Sequence, residues 1–248
     1  MPRIGYPSAM TQATIEISTV PAHLAIIMDG NRRWAAERGL PPAAGHAEGV
    51  NALYRTVQAA ADLGIKQLTV FGFSTENWFR SPEEVEALVS LVGDSAVRFR
   101  QAMLEQGVRM RTIGDLSRFP PKVREALEVT CAATTECERI ELSLAVSYGG
   151  RNDIVRAAQK FAADVRAGRM SPEALTEESF TDYLDTAGLT DPDLLVRTSG
   201  ESRLSNFLIW QVSYSEFVVH DLLWPDFGRE ALLEVIGEYQ TRERRHGN

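Results

Sequence analysis

The run His23-Leu24-Ala25-Ile26-Ile27-Met28-Asp29-Gly30-Asn31-Arg32-Arg33-Trp34-Ala35 decides how this chain folds. Leu24 to Met28 is a short apolar stretch of strand length, flanked by turn formers. It stops at Asp29-Gly30-Asn31, and an amphipathic run from Arg32 predicts a helix with Asn31 as its N-cap. A strand entering a helix through a glycine turn aims backbone N–H groups and the positive helix end at one spot, where phosphates bind well. Arg32 and Arg33 add full positive charge, and Asp29 offers the hard oxygen donor that Mg²⁺ prefers.

Beyond this stretch the chain repeats the same alternation. Leu68–Phe73, Val108–Ile113, Ile140–Val146, Leu194–Val196 and Phe217–Val219 read as five further strands. Helices are expected over 43–63, 82–106, 120–135, 153–167, 172–186 and 229–244. The helix at 82 has the clearest start, with Ser81 as N-cap, Pro82 at the first position and Glu83 and Glu84 in the first turn. Gly64 is expected to cap the 43–63 helix at its C-terminal end. Strands alternating with helices of this length predict a single α/β domain over residues 21–248, with a six-stranded, mostly parallel sheet covered by helices on both faces. Residues 1–20 are polar and mixed, without the apolar core of a signal peptide, and are expected to form a flexible arm.

Composition narrows the functions available. A length of 248 residues with 44% apolar and 24% charged residues suits one soluble α/β domain. The net charge of −8 argues against a general nucleic-acid binder, so an anion site must be a local arginine cluster on an acidic protein. Cys131 and Cys137 lack a metal-ligand pattern and fit free thiols in a reducing cytoplasm. No apolar run approaches the roughly 18 residues of a membrane span.

In parallel sheets, ligands bind beyond the carboxyl ends of the strands. The polar segments at those ends are Asp29–Arg33, Ser74–Arg80, Gly149–Asp153 and Arg197–Asn206. They are expected to bring Arg33, Arg80, Arg197 and Arg203 to one rim, where guanidinium forks suit one diphosphate or two. The faces of the strands and the 82–106 helix offer unbroken apolar surface, and most such faces are simply core. A G-x-x-x-x-G-K-S/T loop, a G-x-G-x-x-G turn, an H-E-x-x-H pair and a G-x-S-x-G elbow are all missing. His46, close to the first phosphate turn, suits a proton donor, a phosphate ligand or a structural hydrogen bond.

The motifs in order are Met28-Asp29-Gly30-Asn31-Arg32-Arg33-Trp34-Ala35, Gly45-His46, Phe73-Ser74-Thr75-Glu76-Asn77-Trp78 and Tyr148-Gly149-Gly150-Arg151. Arg197-Thr198-Ser199-Gly200-Glu201-x-Arg203-Leu204-Ser205-Asn206-Phe207, Glu216, Leu223-Trp224-Pro225-Asp226-Phe227 and Arg242-x-Arg244-Arg245-x-Gly247 follow. From about residue 21 onward the chain resembles the cis-prenyltransferases, the undecaprenyl diphosphate synthase family. The resemblance implies a soluble, cytoplasmic, Mg²⁺-dependent homodimer with an apolar tunnel for the growing prenyl chain. It implies condensation of isopentenyl diphosphate, the homoallylic substrate, with an allylic prenyl diphosphate. Peripheral membrane contact is a further expectation for long products.

By the same resemblance, Asp29 helps bind the metal, and Gly30, Asn31, Arg32 and Arg33 cradle the allylic diphosphate. Arg197, Arg203 and Ser205 hold the homoallylic diphosphate, and Glu216 is a metal ligand supplied across a dimer. Asp29, Asn31, His46, Ser74 and Asn77 form the catalytic group, with proton transfer or diphosphate departure falling to the last three. Arg80 is a further diphosphate contact, and Trp34, Arg38 and Trp78 complete the substrate-binding set. Gly72 and Ile140 match tunnel-lining positions.

One position departs from the pattern. Pro42 stands where the family usually carries an arginine that contacts the allylic diphosphate. Irregular, lavandulyl-type members, which couple two prenyl units head-to-middle using dimethylallyl diphosphate, also differ in this loop. Regular elongation and irregular coupling therefore both stay open. A non-catalytic partner subunit is a third reading, disfavoured because Asp29 and the Arg197–Asn206 segment are kept.

Overall fold

The computed structural model describes residues 19–242. Six strands form one sheet in the order β3-β4-β2-β1-β5-β6, and every neighbouring pair runs parallel. They are β1 (His23–Ile27), β2 (Gln67–Ser74), β3 (Val108–Ile113), β4 (Ile140–Tyr148), β5 (Leu194–Arg197) and β6 (Glu216–Val219). β1 lies near the middle and is buried along its whole length, which is why its sequence is apolar without alternation.

Pleating sends Leu24 and Ile26 into one core and Ala25 and Ile27 into another on the opposite face. The first core is completed by α2 (Pro42–Asp62) and α7 (Arg229–Thr241), together with Trp224 and Phe227. On the same side, α3 (Pro82–Gln106) and α4 (Pro121–Ala133) cover β3 and β4 through Leu88, Val89, Val123 and Leu127. On the other face Tyr148, Phe207 and Leu208 pack over the strands, while α5 (Gly150–Arg166) buries Ala157 against Phe180 and Leu184.

Several expected boundaries move. Gly30, not Asn31, is the N-cap of α1 (Asn31–Glu37). Its φ of 108° belongs to the left-handed region that glycine alone enters freely, and a Cβ there would sit 2.9 Å from Leu223 Cδ2. The expected helix over 172–186 breaks into a 3₁₀ turn, Pro172–Ala174, and a short α6, Glu177–Thr181. The cause is local: Thr176 accepts from the Ser179 amide and starts a new helix there. α5 begins at Gly150, three residues before the expected start, and α7 ends at Thr241. Gly64, with φ of 86°, follows the end of α2 as expected.

The expected arm at 1–20 falls almost wholly outside the described residues, as does the motif beyond Arg242. Val20 already packs on the main core. Among the described residues, no helix is long and apolar enough to cross a membrane.

Candidate active site

β1 and β5 are neighbours, and the residues leaving their carboxyl ends meet head-on. Arg197 closes β5 and is buried, and its Nη2 donates to Asp29 Oδ2 at 2.7 Å. The Gly30 amide donates to Asp29 Oδ1 at 2.7 Å, and the Asp29 amide donates to Thr198 Oγ1 at 2.9 Å. Burial pushes the Asp29 carboxyl up, but the hydrogen bond and charge of Arg197, the Gly30 amide and the Arg33 charge outweigh it. The carboxyl therefore lies below its ordinary value and is ionised at neutral pH. Arg197 Nη1 meanwhile donates to Ser205 Oγ at 2.7 Å and to the Arg203 carbonyl.

This ion pair sits on the wall of an open polar cavity of about 570 Å³. Asn31, His46, Ser74, Asn77, Arg80, Arg203 and Ser205 line the same cavity. Three buried polar atoms in this group have no hydrogen-bond partner: Asn31 Oδ1, His46 Nε2 and Arg197 Nε. Buried polar atoms are rarely left so, and three within one cavity wall mark a place built for a ligand.

The neighbouring packing fixes these groups. Gly45 and Gly49 let α2 press on Asn31, since a Cβ at Gly45 would lie 2.0 Å from the Asn31 carbonyl oxygen. Burial lowers the His46 pKa, and the charges of Arg80 and Arg32 lower it further against the opposing Glu84 carboxylate. The imidazole is neutral at pH 7. Asn77 Oδ1 accepts from the Ser74 amide at 2.9 Å, which clamps the turn leaving β2. Arg80 Nη1 donates to Glu84 Oε1 at 2.8 Å.

Beneath the polar cavity lies a second, almost wholly apolar one between α2, α3 and the sheet. Met28, Asn31, His46, Gly72 and Leu88 line both, so the two cavities join at these residues. Farther down, the rings of Tyr54 and Phe99 stack at 4.8 Å, and Gln106 Nε2 donates to Tyr54 Oη at 2.7 Å. The arrangement suits a ligand with an anionic head against the arginines and an apolar tail in the second cavity.

Comparison with known proteins gives that geometry its relatives. The Prenyltransf family model, that of undecaprenyl diphosphate synthases, matches residues 27–247. The chain belongs to the cis-prenyltransferase family. An isoprenyl transferase of Clostridium perfringens is 48% identical over 92% of this chain and 90% of its own. The ditrans,polycis-undecaprenyl-diphosphate synthase of Micrococcus luteus, specific for (2E,6E)-farnesyl diphosphate, is 44% identical over 96% of both chains. Lavandulyl diphosphate synthase from Lavandula x intermedia, solved with dimethylallyl diphosphate, superposes with a TM-score of 0.89. It is 38% identical, over 92% of this chain and 99% of that one.

Not every expected residue of this cis-prenyltransferase reaches the cavity wall. Arg32 is exposed on the first turn of α1, and Arg33 Nη2 donates to Ser199 Oγ, with Glu201 at 3.7 Å. Arg33 therefore stands beside the expected rim while Arg80, Arg197 and Arg203 line it. Trp34 and Arg38 face away: Trp34 Nε1 donates to Asp226 Oδ1 at 2.7 Å, and Arg38 stacks over the Trp34 ring while pairing with Asp226 at 3.2 Å. Trp78 packs with Phe73 and Phe119 and donates to Ser147 Oγ at 2.9 Å. Glu216 opens β6 opposite Leu194, at the amino edge of the sheet, and accepts from Arg242 at 3.0 Å. It lies three residues of strand below the level of Arg197, so the two do not meet within one chain.

Ile140 is buried in the core, and Leu142 and Leu144 from the same strand line the apolar cavity in its place. Gly72 does line it. The expected Gly149–Asp153 segment stays off the wall of the polar cavity, because the first amides of α5 are already taken by Asn206. Glu76 and Asn206 line the polar cavity too; both fall in segments expected at the strand ends, but neither was singled out as a site residue. The sequence signal for Asn206 is the pair Gly149-Gly150, which marks a close approach of another segment.

Proposed function

We propose that this cis-prenyltransferase condenses isopentenyl diphosphate with an allylic prenyl diphosphate and releases a Z-configured prenyl diphosphate. One observation carries the reading: an arginine-walled polar cavity with unpartnered polar atoms opens through five shared residues into an apolar one. A ligand with two ionised phosphates and a hydrocarbon tail matches both halves.

In this reaction the allylic C–O bond breaks and its electron pair leaves with the diphosphate. The olefin of the second substrate supplies the electron pair of the new C–C bond, and a proton then leaves the adjacent carbon. Arg197, Arg203 and Ser205 hold the homoallylic diphosphate, while Asn31, Arg80 and the α1 amides receive the allylic one. Fixed positive charge at a departing diphosphate lowers the barrier most where water is scarce. The apolar cavity keeps water from the allylic cation. The neutral His46 imidazole has a free Nε2 at the junction of the two cavities, where it can give or take a proton at the departing group.

Asp29 would hold Mg²⁺. It is ionised and its side chain is 31% exposed, so an oxygen face remains for a cation. At Asp29 such an ion would supply positive charge to offset that of the diphosphate. Placement of Glu216 at the far edge of the sheet agrees with a homodimer in which that carboxylate serves the partner. The two cysteines are free thiols, in keeping with a cytoplasmic enzyme.

Irregular coupling is the second reading, favoured by Pro42 and by the likeness to lavandulyl diphosphate synthase. Pro42 opens α2 and lines a side groove with Ala43, Ser81 and Glu83, so no cation faces the allylic head from this position. The deciding experiment offers the purified enzyme isopentenyl or dimethylallyl diphosphate separately with geranyl diphosphate and identifies the product skeleton. A linear cis product that requires isopentenyl diphosphate is expected. A branched product from dimethylallyl diphosphate alone overturns the regular reading.

A further inference from the structure

Asn206 joins three strand-end segments that are far apart in sequence. Its carbonyl accepts the Gly150 amide at 2.7 Å and its Oδ1 accepts the Arg151 amide at 2.9 Å. These are first-turn donors of α5, which have no partner within their own helix. On its other side, Asn206 Nδ2 donates to Glu76 Oε1 at 3.1 Å, in the turn that leaves β2. Only one orientation of the amide satisfies both neighbours, because one is a donor and the other an acceptor.

The surroundings are tight. A Cβ at Gly149 would lie 2.7 Å from Asn206 Nδ2 and 2.6 Å from Thr75 Oγ1. Ser205 and Asn206 both sit in the left-handed region, with φ of 49° and 63°. Residues other than glycine stay there only when their neighbours hold them. Held in this shape, Ser205 presents its Oγ to Arg197 Nη1 at 2.7 Å. Glu76 is itself fixed by Thr75 Oγ1 at 3.0 Å.

We propose that Asn206 is a positioning residue for the homoallylic diphosphate, anchored across the cavity by Glu76, and that it sets Ser205 and Arg203 for binding. The inference rests on the prenyl-transfer reading above. It makes the Glu76–Asn206 bond a tie between the Ser74–Arg80 turn and the Arg197–Asn206 segment.

The test is a polarity swap followed by steady-state kinetics in both substrates. Asn206→Asp keeps the acceptor for the Arg151 amide but sets a carboxylate against Glu76. The KM for isopentenyl diphosphate is expected to rise at least tenfold, with the allylic KM within threefold of wild type. Adding Glu76→Gln restores a hydrogen bond of reversed direction, and the double variant is expected to recover a KM within threefold of wild type. A purely structural role would lower the melting temperature or the active fraction and leave both KM values unmoved. An isopentenyl KM within twofold of wild type in Asn206→Asp, or no recovery in the double variant, overturns the proposal. Should Asn206→Asp fail to fold, Glu76→Ala removes the anchor alone. A fivefold higher isopentenyl KM is then expected, and an unchanged one overturns the proposal. A wild-type enzyme that turns over neither five-carbon diphosphate overturns both this inference and the reading beneath it, which separates the two failures.

Discussion

Replacing Asp29 by alanine tests the centre of the site, and its cost can be worked out. The mutation removes two charge-assisted contacts, from Arg197 Nη2 and from the Gly30 amide, each at 2.7 Å. The Arg197 side chain is only 4% exposed and keeps Ser205 and the Arg203 carbonyl as partners, so it is weakened but not stranded. Each hydrogen bond to a charged group contributes roughly 1.5–3 kcal/mol, and solvent screening at the partly exposed Asp29 discounts the sum of the two to about 2 kcal/mol. For a domain of this size each kcal/mol shifts the melting temperature by roughly 2–4 °C, so a fall of roughly 4–8 °C is expected at pH 7. The sign with pH follows from the lowered carboxyl. A depressed carboxyl stabilises the fold above its unfolded value, near 3.9, and that contribution fades as pH falls through the lower folded value. Calorimetry of the wild type and Asp29→Ala should therefore show a gap at pH 7 that narrows below about pH 4. Turnover of labelled diphosphates at saturating Mg²⁺ should be lost. A melting temperature equal to or above wild type at pH 7 refutes the energetic argument, and wild-type turnover refutes the role in the site.

Arg197→Ala and Arg203→Ala should each weaken isopentenyl diphosphate binding by roughly 1.5–3 kcal/mol, or roughly 10- to 150-fold, in isothermal titration. Unchanged affinity in both would place the homoallylic site elsewhere. Tyr54 lies two turns along α2 from His46, about 12 Å by helical rise, where its ring stacks on Phe99 across the apolar cavity. Tyr54→Ala is expected to lengthen the product, read by mass spectrometry, and an unaltered length distribution would refute a limiting role for this pair.

Much of the fold is written locally. The unbroken apolar run of β1 and the capped start of α3 each carry one dominant signal, so strands, helices and the all-parallel sheet follow from short windows. Gly30 could be placed in the turn, but its role as N-cap depends on a backbone angle that side-chain preference hides; Asn31 is the better cap by composition alone. The 172–186 pattern suggests one helix until Thr176 and Ser179 cap a new one. The limits at the site are of another kind. Trp34 and Arg38 belong to the phosphate-turn motif by sequence, yet they turn to Asp226, nearly two hundred residues later, which no local pattern foretells. Asn206 acts through amides that precede it by more than fifty residues, on a helix whose N-terminus alone would suggest an anion site.

Four of the five non-glycine residues with positive φ among the described residues follow β5, and half of the unpartnered buried side-chain atoms belong to the cavity wall, which argues that the cavity is a working site. Ser199, Ser205, Asn206 and Leu208 all take positive φ within eleven residues of the end of β5. Strain of this kind costs on the order of 1–3 kcal/mol per residue and lasts only where surrounding structure enforces it. The enforcement is visible: Ser199 accepts from Arg33, Asn206 is held by α5 and Glu76, and Leu208 is buried in the second core. The neighbouring wall carries the unpartnered Asn31, His46 and Arg197 atoms. A fold selected for stability alone would relax the loop and pair those atoms, since either change lowers the folded free energy. The cost at Arg197 becomes intelligible if an anionic ligand accepts from its Nε and neutralises the arginines. Pro42 takes no part in this pattern, because it is exposed, opens α2 at a position that suits proline, and lines the side groove and not the polar cavity. The departure at Pro42 therefore bears on the proposed allylic side, while the Arg197–Asn206 wall, where the strain is concentrated, is the one we propose for a diphosphate under either outcome.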